Sequence, residues 1–180
     1  MEQKIRINKP LRLKKDFYQR DALEVAPALL GKQICRYSSS GNIKNYIISE
    51  IEIYKGEDNL ACHASKGRTQ RTEIMYHKGG MIYMYLIYGI HWMFNIVTGE
   101  ENNPQAILVR GINDIMGPGK VTKELDLDKS FYGVDLASSN KIWINNISSS
   151  IKIYKGKRIG IDYSGNYWKN KNWRFSLYKI

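Results

Sequence analysis

Two glutamates, Glu50 and Glu52, stand in the otherwise apolar run Tyr46 to Tyr54. In an extended chain they point to one face together with Ile48 and Tyr54. Such a pair has two explanations. The face is solvated, or one carboxylate is partly buried beside a pocket and works as a general base. His63 lies in the irregular stretch Lys55 to Gly80, which also holds four glycines and the cluster Lys66, Arg68, Arg71. A loop histidine is more often structural than catalytic, whereas a Gly- and Arg-containing loop between apolar strands suits phosphate contacts. Arg110 closes the apolar run Ala106 to Val109, where a simple strand-end charge is the alternative to a role in chemistry. Gly117-Pro-Gly-Lys120 lacks P-loop spacing, but its amides and Lys120 suit a single phosphate. Glu50, Glu52, His63, His77 and His91 show no HExxH or comparable spacing, and Cys35 and Cys62 form no disulfide framework and no zinc-ligand pair. Neither a metal nor a cofactor is expected.

The elements that must position these residues are organised about Met81 to Thr98, which contains no Lys, Arg, Asp or Glu. Its length matches a membrane span, but Tyr83, Tyr85, Tyr88, His91, Asn95 and a central Gly89 argue against one. The spacing predicts two strands and a turn. Tyr83, Tyr85 and Ile87 then share one face, and Met84, Leu86 and Tyr88 the other. Tyr88, Gly89 and Ile90 form a tip that is either buried or a wedge for a partner to receive. Before this run, Asp21 caps a helix over Ala22 to Leu30 that Gly31 ends, with Pro27 tolerable only near the first turn. Strands follow at Lys32 to Tyr37 and Tyr46 to Tyr54 across the turn Ser38 to Asn42. After it, Met116 to Lys120 reads as a turn. Lys141 to Ile180 reads as several strands with turns at Ser148 to Ser150 and Ser164 to Asn166.

The chain has 180 residues, 43% of them hydrophobic, and a formal net charge of +11. That predicts one globular domain behind a basic N-terminal arm to Lys15. The first residues hold no secretory segment, which points to a cytoplasmic protein. So basic a chain concentrates on polyanions, nucleic acid first, although a Lys-, Ile-, Asn- and Tyr-rich composition is also what an AT-biased genome produces. The rival classes are a non-catalytic nucleic-acid binder with a Tyr stacking platform, a metal hydrolase, and a membrane-surface protein that rests on charge alone.

Taken together, these stretches resemble the alkyladenine DNA glycosylase family, the mammalian-type 3-methyladenine DNA glycosylases. The resemblance runs from Ala26-Pro-Ala-Leu-Leu-Gly-Lys32 to Trp173-Arg174-Phe175, and it includes Glu50-Ile-Glu-Ile-Tyr54, Ala61-Cys-His63, Arg68-Thr-Gln-Arg71, Tyr83-Met-Tyr-Leu-Ile-Tyr-Gly89, Leu108-Val-Arg110, Gly117-Pro-Gly-Lys120, Lys129-Ser-Phe131 and Arg158-Ile-Gly-Ile161. It implies an α+β single domain: a curved, mainly antiparallel sheet or open barrel with flanking helices and a protruding β-hairpin. It implies Glu52 as general base and Arg110 as a holder of the attacking water. Tyr54, His63 and Tyr85 become walls of the slot for a flipped base, and Asn95 an obstruction to the 2-amino group of guanine. Ile161 supplies a backbone carbonyl near the water, Tyr88 and Ile90 wedge into the stack, and Arg68, Thr69, Arg71, Gly119 and Lys120 hold DNA. The implied partner is double-stranded DNA with damaged purines, met by a monomer without cofactor or metal. Three places depart from the family pattern: His77-Lys-Gly-Gly80, Gln70, and Asp162 beside Ile161.

Overall fold

The computed structural model describes residues 11–147 and 150–179. The expected basic arm lies outside the described residues up to position 10, as do Ser148 and Ser149 of the expected turn. The chain enters the fold before Lys15, because Leu11 and Arg12 already pair as a short strand with Asn146 and Asn145.

In chain order the elements are β1 Leu11–Arg12, α1 Lys15–Tyr18, α2 Ala22–Leu29, β2 Gln33–Tyr37 and β3 Ile43–Lys55, followed by 3₁₀ turns at His63–Lys66 and Glu73–Tyr76. Then come β4 Ile82–Ile87, β5 His91–Val97, β6 Gln105–Ile112, β7 Ile115–Met116, α3 Pro118–Glu124 and a 3₁₀ turn Lys129–Phe131. The C-terminal part holds β8 Ile142–Asn146, β9 Tyr154–Gly156, a 3₁₀ turn Asp162–Ser164, α4 Gly165–Lys169 and β10 Arg174–Ser176. The described strands make one open antiparallel sheet in the order β1-β8-β2-β3-β6-β5-β4, with β7 on β6 and the pair β9-β10 on β3. The fold is α+β, a single domain, and the sheet is not closed into a barrel.

β3 is the strand on which the sheet turns. Its first half pairs with β2. Its second half pairs with β6 on one edge and with β10 on the other, and bulges between Ile48 and Ile51 mark the change. A bulge bends a strand and increases its twist, so Glu50 and Glu52 lie on a stretch that is covered on both edges. Ile51 and Ile53 point the other way, into the main core, with Phe94, Ile96, Ile107 and Val109 from β5 and β6. Against that face packs α2, whose Ala22, Val25, Ala26 and Leu29 are buried and whose Asp21 accepts from the Leu23 N–H at 2.9 Å. Burial of a Val or Leu side chain stabilises by roughly 1.5 to 3 kcal/mol. The opposite face carries a smaller cluster, Cys62, Ala64, Ile74, Met75, Tyr76 and Tyr83, which packs the loop of residues 55–80 over the sheet.

Several expectations need correction. Pro27 sits inside α2 and not in its first turn. The bond it forfeits is to the carbonyl of Leu23, an exposed residue that water can serve. Arg110 is internal to β6, which continues to Ile112. Gly117 to Lys120 is the start of α3: Gly117 adopts φ 108° before the helix and Pro118 opens it, a position its fixed φ suits. Ser164 to Asn166 joins a 3₁₀ turn to α4 and does not link two strands. The uncharged run is the β4–β5 hairpin as expected, with Ile87 opposite His91. Among the described residues no helix is long and apolar enough to cross a membrane.

Candidate active site

Alternation along four adjacent strands delivers a line of side chains to one face. Glu52 on β3 lies opposite Leu108 on β6, Leu108 opposite Asn95 on β5, and Asn95 opposite Tyr83 on β4. Two residues along, the same face gains Tyr54, Arg110 and Tyr85. Over this face opens a cleft of about 1050 Å³, walled by Tyr54, His63, Tyr83 and Tyr85, floored by Asn95, Leu108 and Arg110, and closed at its ends by the start of α3 and by Ile159 to Ile161.

Glu52 is 0% exposed. It lies beneath the cleft floor, between Arg110 and Tyr54, and is not itself on the cleft surface. Its Oε2 accepts from the Tyr54 hydroxyl at 2.8 Å and its Oε1 from the Ile159 N–H at 2.8 Å. Arg110 Nε stands 3.5 Å from the same Oε1. Burial raises the Glu52 pKa; Arg110, the Ile159 N–H and the Tyr54 hydroxyl pull it back down, and Glu50 adds a smaller upward push. A carboxylate raised by desolvation yet kept in place by donors suits a base working near neutral pH. Tyr54 is held well above its ordinary value, first by burial and then by Glu52, so it remains a donor. Glu50 is also buried. It bonds to Arg174 Nε and faces Arg110 Nε at 3.5 Å.

The walls are fixed by their neighbours. His63 Nδ1 lies 2.8 Å from the Tyr83 hydroxyl and its ring meets Tyr85 edge-on at 4.5 Å. Burial, then Arg71 and Lys66, lower its pKa to about 4, so the imidazole is neutral at pH 7. Asn95 is buried, its Nδ2 donating to the carbonyls of Tyr83 at 3.2 Å and Met93 at 3.1 Å. With both amide hydrogens tied to the backbone, its side chain is a rigid part of the floor. Tyr54 and Tyr85 each carry a guanidinium near one ring: Arg158 at 5.0 Å and Arg71 at 5.2 Å.

The family model of methylpurine-DNA glycosylase matches this chain over residues 16–116 and 113–179. The chain belongs to the methylpurine-DNA glycosylase family. Relatives named "putative 3-methyladenine DNA glycosylase" include one from Psychrobacter cryohalolentis, 37% identical over 86% of this chain and 86% of its own length. Another, from Borreliella burgdorferi, is 40% identical over 89% of this chain and 93% of its own. A third, from Natranaerobius thermophilus, is 35% identical over 93% and 96% respectively.

Apart from Glu52 beneath the floor, the expected site residues fall into two groups. Tyr54, His63, Tyr85, Asn95, Arg110, Ile161, Gly119, Lys120, Arg71, Tyr88 and Ile90 all line the cleft or its rim. Tyr88 and Ile90 are 86% and 71% exposed at the hairpin tip, where Tyr88 and Gly89 take φ values of 51° and 71°. Gly119 allows α3 to approach the hairpin, since a Cβ there would sit 3.2 Å from the His91 ring. Arg68 and Thr69 lie apart. Arg68 forms a two-pronged ion pair with Glu73 at 2.8 and 2.6 Å, and Thr69 spends its N–H on the Thr72 hydroxyl at 2.8 Å.

The backbone carbonyl of Ile161 accepts from both the N–H and the hydroxyl of Ser164, at 2.9 and 2.6 Å. The main-chain group of this segment that meets Glu52 is instead the N–H of Ile159, which the sequence does not single out. The segment is anchored by buried Arg158, which donates to the carbonyls of Ile53 at 2.9 Å and Trp168 at 3.1 Å. The motif Arg158-Ile-Gly-Ile161 is therefore an anchor followed by a donor. Asp162 is turned away from Glu52: its side chain is 93% exposed and lies 4.0 Å from Lys169. Among the described residues no three His, Cys, Asp or Glu side chains converge on a metal site.

Proposed function

We propose that this chain is a monofunctional DNA glycosylase that turns N-alkylated purines, 3-methyladenine and 7-methylguanine first, out of duplex DNA and hydrolyses their bond to deoxyribose. The observation that carries this reading is the buried Glu52 beside Arg110 beneath a tyrosine-walled cleft. Family membership and the basic charge supply the DNA. Turning a purine out costs a few kcal/mol, less where its pairing is already impaired. Tyr88, exposed at the tip with Ile90, fills the space left behind and offsets part of that cost. The base lodges between Tyr54, His63 and Tyr85. Asn95, rigid in the floor, excludes the 2-amino group of an undamaged guanine.

In the reaction, Arg110 Nε, a buried donor with no bonded acceptor among the described residues, holds a water against Glu52. The water oxygen bonds to C1′ of the sugar as the C1′–N9 bond breaks. Its proton passes to Glu52, and the bond's electrons go to N9, discharging the cationic purine. The products are free base and an abasic site. Because an N3- or N7-alkylated purine leaves as a neutral molecule, no second carboxylic acid is required, which leaves Glu50 outside the chemistry. A positioned base contributes about 10² to 10⁴-fold and orientation of the water adds to that. Hypoxanthine and ethenoadenine are poorer leaving groups and poorer substrates. The rings favour a cationic base by less than the ~0.5 to 2 kcal/mol of a bare tyrosine, since Arg158 and Arg71 already draw on their π density.

The test is Glu52→Gln. Incubated with alkylated duplex, the variant is expected to bind as the parent does and to release base at least 100-fold more slowly, read by mass spectrometry of free bases. A parent that binds and releases nothing is a non-catalytic stacking protein, and a variant that keeps its rate removes Glu52 from the reaction.

A further inference from the structure

Glu50 has no part in the proposed proton transfer, yet it is as deeply buried as Glu52, and the two carboxylates face one guanidinium. Arg110 Nε is 3.5 Å from an oxygen of each and hydrogen-bonded to neither. A donor balanced between two acceptors moves toward the one with more uncompensated charge. At Glu52 that charge is met by the Tyr54 hydroxyl and the Ile159 N–H. At Glu50 it is met by Arg174, whose Nε donates to the same oxygen that Arg110 faces. Arg174 comes from β10, on the edge of β3 away from β6, where it lies opposite Glu52 in register while its side chain reaches Glu50. Arg174, Glu50, Arg110 and Glu52 thus form a series of alternating charge beneath the cleft, across three strands.

We propose that Arg174 is a positioning residue: by occupying Glu50 it releases Arg110 to serve Glu52 and the attacking water, an inference that rests on Glu52 being the general base. Without Arg174, the charge of Glu50 is unmatched in a buried site, a costly state that draws Arg110 across and turns Glu50 against Glu52. The charged or titratable groups facing Glu52 are Tyr54 and Glu50 from β3, Arg110 from β6, Tyr85 from β4, and Arg158 from the segment after β9. Among the described residues Arg174 forms its ion pair with Glu50 alone, so its removal reaches Glu52 through Glu50 and Arg110.

The experiment measures the titration midpoint of Glu52 by carbon NMR of the full-length protein labelled at glutamate carboxyls, with the Glu52 signal assigned by its loss in Glu52→Gln. Arg174→Gln is expected to raise the midpoint by about one pH unit or more, the size of effect a lost neighbouring charge produces. Glu50→Gln is expected to lower it below the parent's, and the double variant Glu50→Gln/Arg174→Gln to cancel the rise. Arg174→Lys keeps the charge and stays near the parent. An unmoved midpoint in Arg174→Gln overturns the proposal whatever the activity, as does an unmoved midpoint in Glu50→Gln, which decides the matter alone should Arg174→Gln not fold. Single-turnover base release across the same pH range separates the two ideas. If the acid limb of the rate follows the Glu52 midpoint, both stand. If the midpoint moves and the limb does not, Arg174 acts on Glu52 through Glu50 and Arg110, but Glu52 is not the base and the catalytic part of the proposal falls with it.

Discussion

His63 is half-buried against Tyr83 and Tyr85 within reach of two cations, and burial first, then Arg71 and Lys66, bring its pKa from an ordinary 6.5 down to about 4. A group whose folded value is depressed stabilises the fold above its unfolded value, and that contribution disappears as pH falls toward the folded one. For His63 the contribution is roughly 3 kcal/mol at neutral pH, lost between about pH 6.5 and 4, because the unfolded chain takes up the proton first. Urea unfolding of the parent and His63→Gln at pH 7 and 4.5 checks this. The parent is expected to lose about 2 kcal/mol more than the variant over that interval, and equal losses would mean that the imidazole does not titrate as a buried neutral group. At this scale the sequence discloses residue types well and choices between them poorly. Two carboxylates on one face of β3 follow from alternation alone. Which of them meets the Ile159 N–H, and which Arg174, is decided by chain 107 and 124 residues further on, and no local pattern carries that information.

The β4–β5 hairpin exposes an aromatic and an aliphatic side chain at its tip, with both central residues in the left-handed region. Since Tyr88 makes its tip contacts with solvent, Tyr88→Ser is expected to leave stability within about 0.5 kcal/mol of the parent. Base release from a fully paired duplex should fall about ten-fold or more, whereas a lesion placed in a mismatch, already partly opened, should suffer much less. Single-turnover release from the two duplexes, set beside thermal melts, makes the comparison. An equal loss on both would assign Tyr88 to the pocket and not to the opening of the stack. Elements such as this hairpin, β2 and β3 are legible because strand-forming residue types are bounded by turn residues. The short helices α3 and α4 are not, since their identity depends on distant partners. α3 is fastened by the Thr122 hydroxyl to the carbonyl of Trp92 at 2.8 Å and by Arg36 Nε to the carbonyl of Leu125 at 2.8 Å. Neither contact can be read from Gly117-Pro-Gly-Lys120 itself.

A net charge of +11 is a property of the whole molecule, but only cations that reach phosphates release counterions, and each such contact steepens the salt dependence of binding by about 0.9 in log–log slope. The fold divides the arginines of one motif between two tasks. Arg71 lies at the cleft over Tyr85, with no carboxylate paired to it among the described residues. Arg68, in the same turn, is neutralised by Glu73, and Arg68 in return holds that carboxyl down at about 2, so Glu73 stays ionised at neutral pH. Binding of a lesion-bearing duplex by the Glu52→Gln protein, followed by fluorescence anisotropy between about 50 and 200 mM salt, separates them. In that background Arg71→Gln is expected to flatten the slope by about 0.9 and Arg68→Gln by much less. The second substitution frees Glu73 as well, so a small loss of affinity without a change of slope is consistent with an ion pair that shapes the loop. Equal flattening by the two would mean that DNA draws Arg68 out of its pair, and that residues 68 to 71 reorganise when the duplex docks.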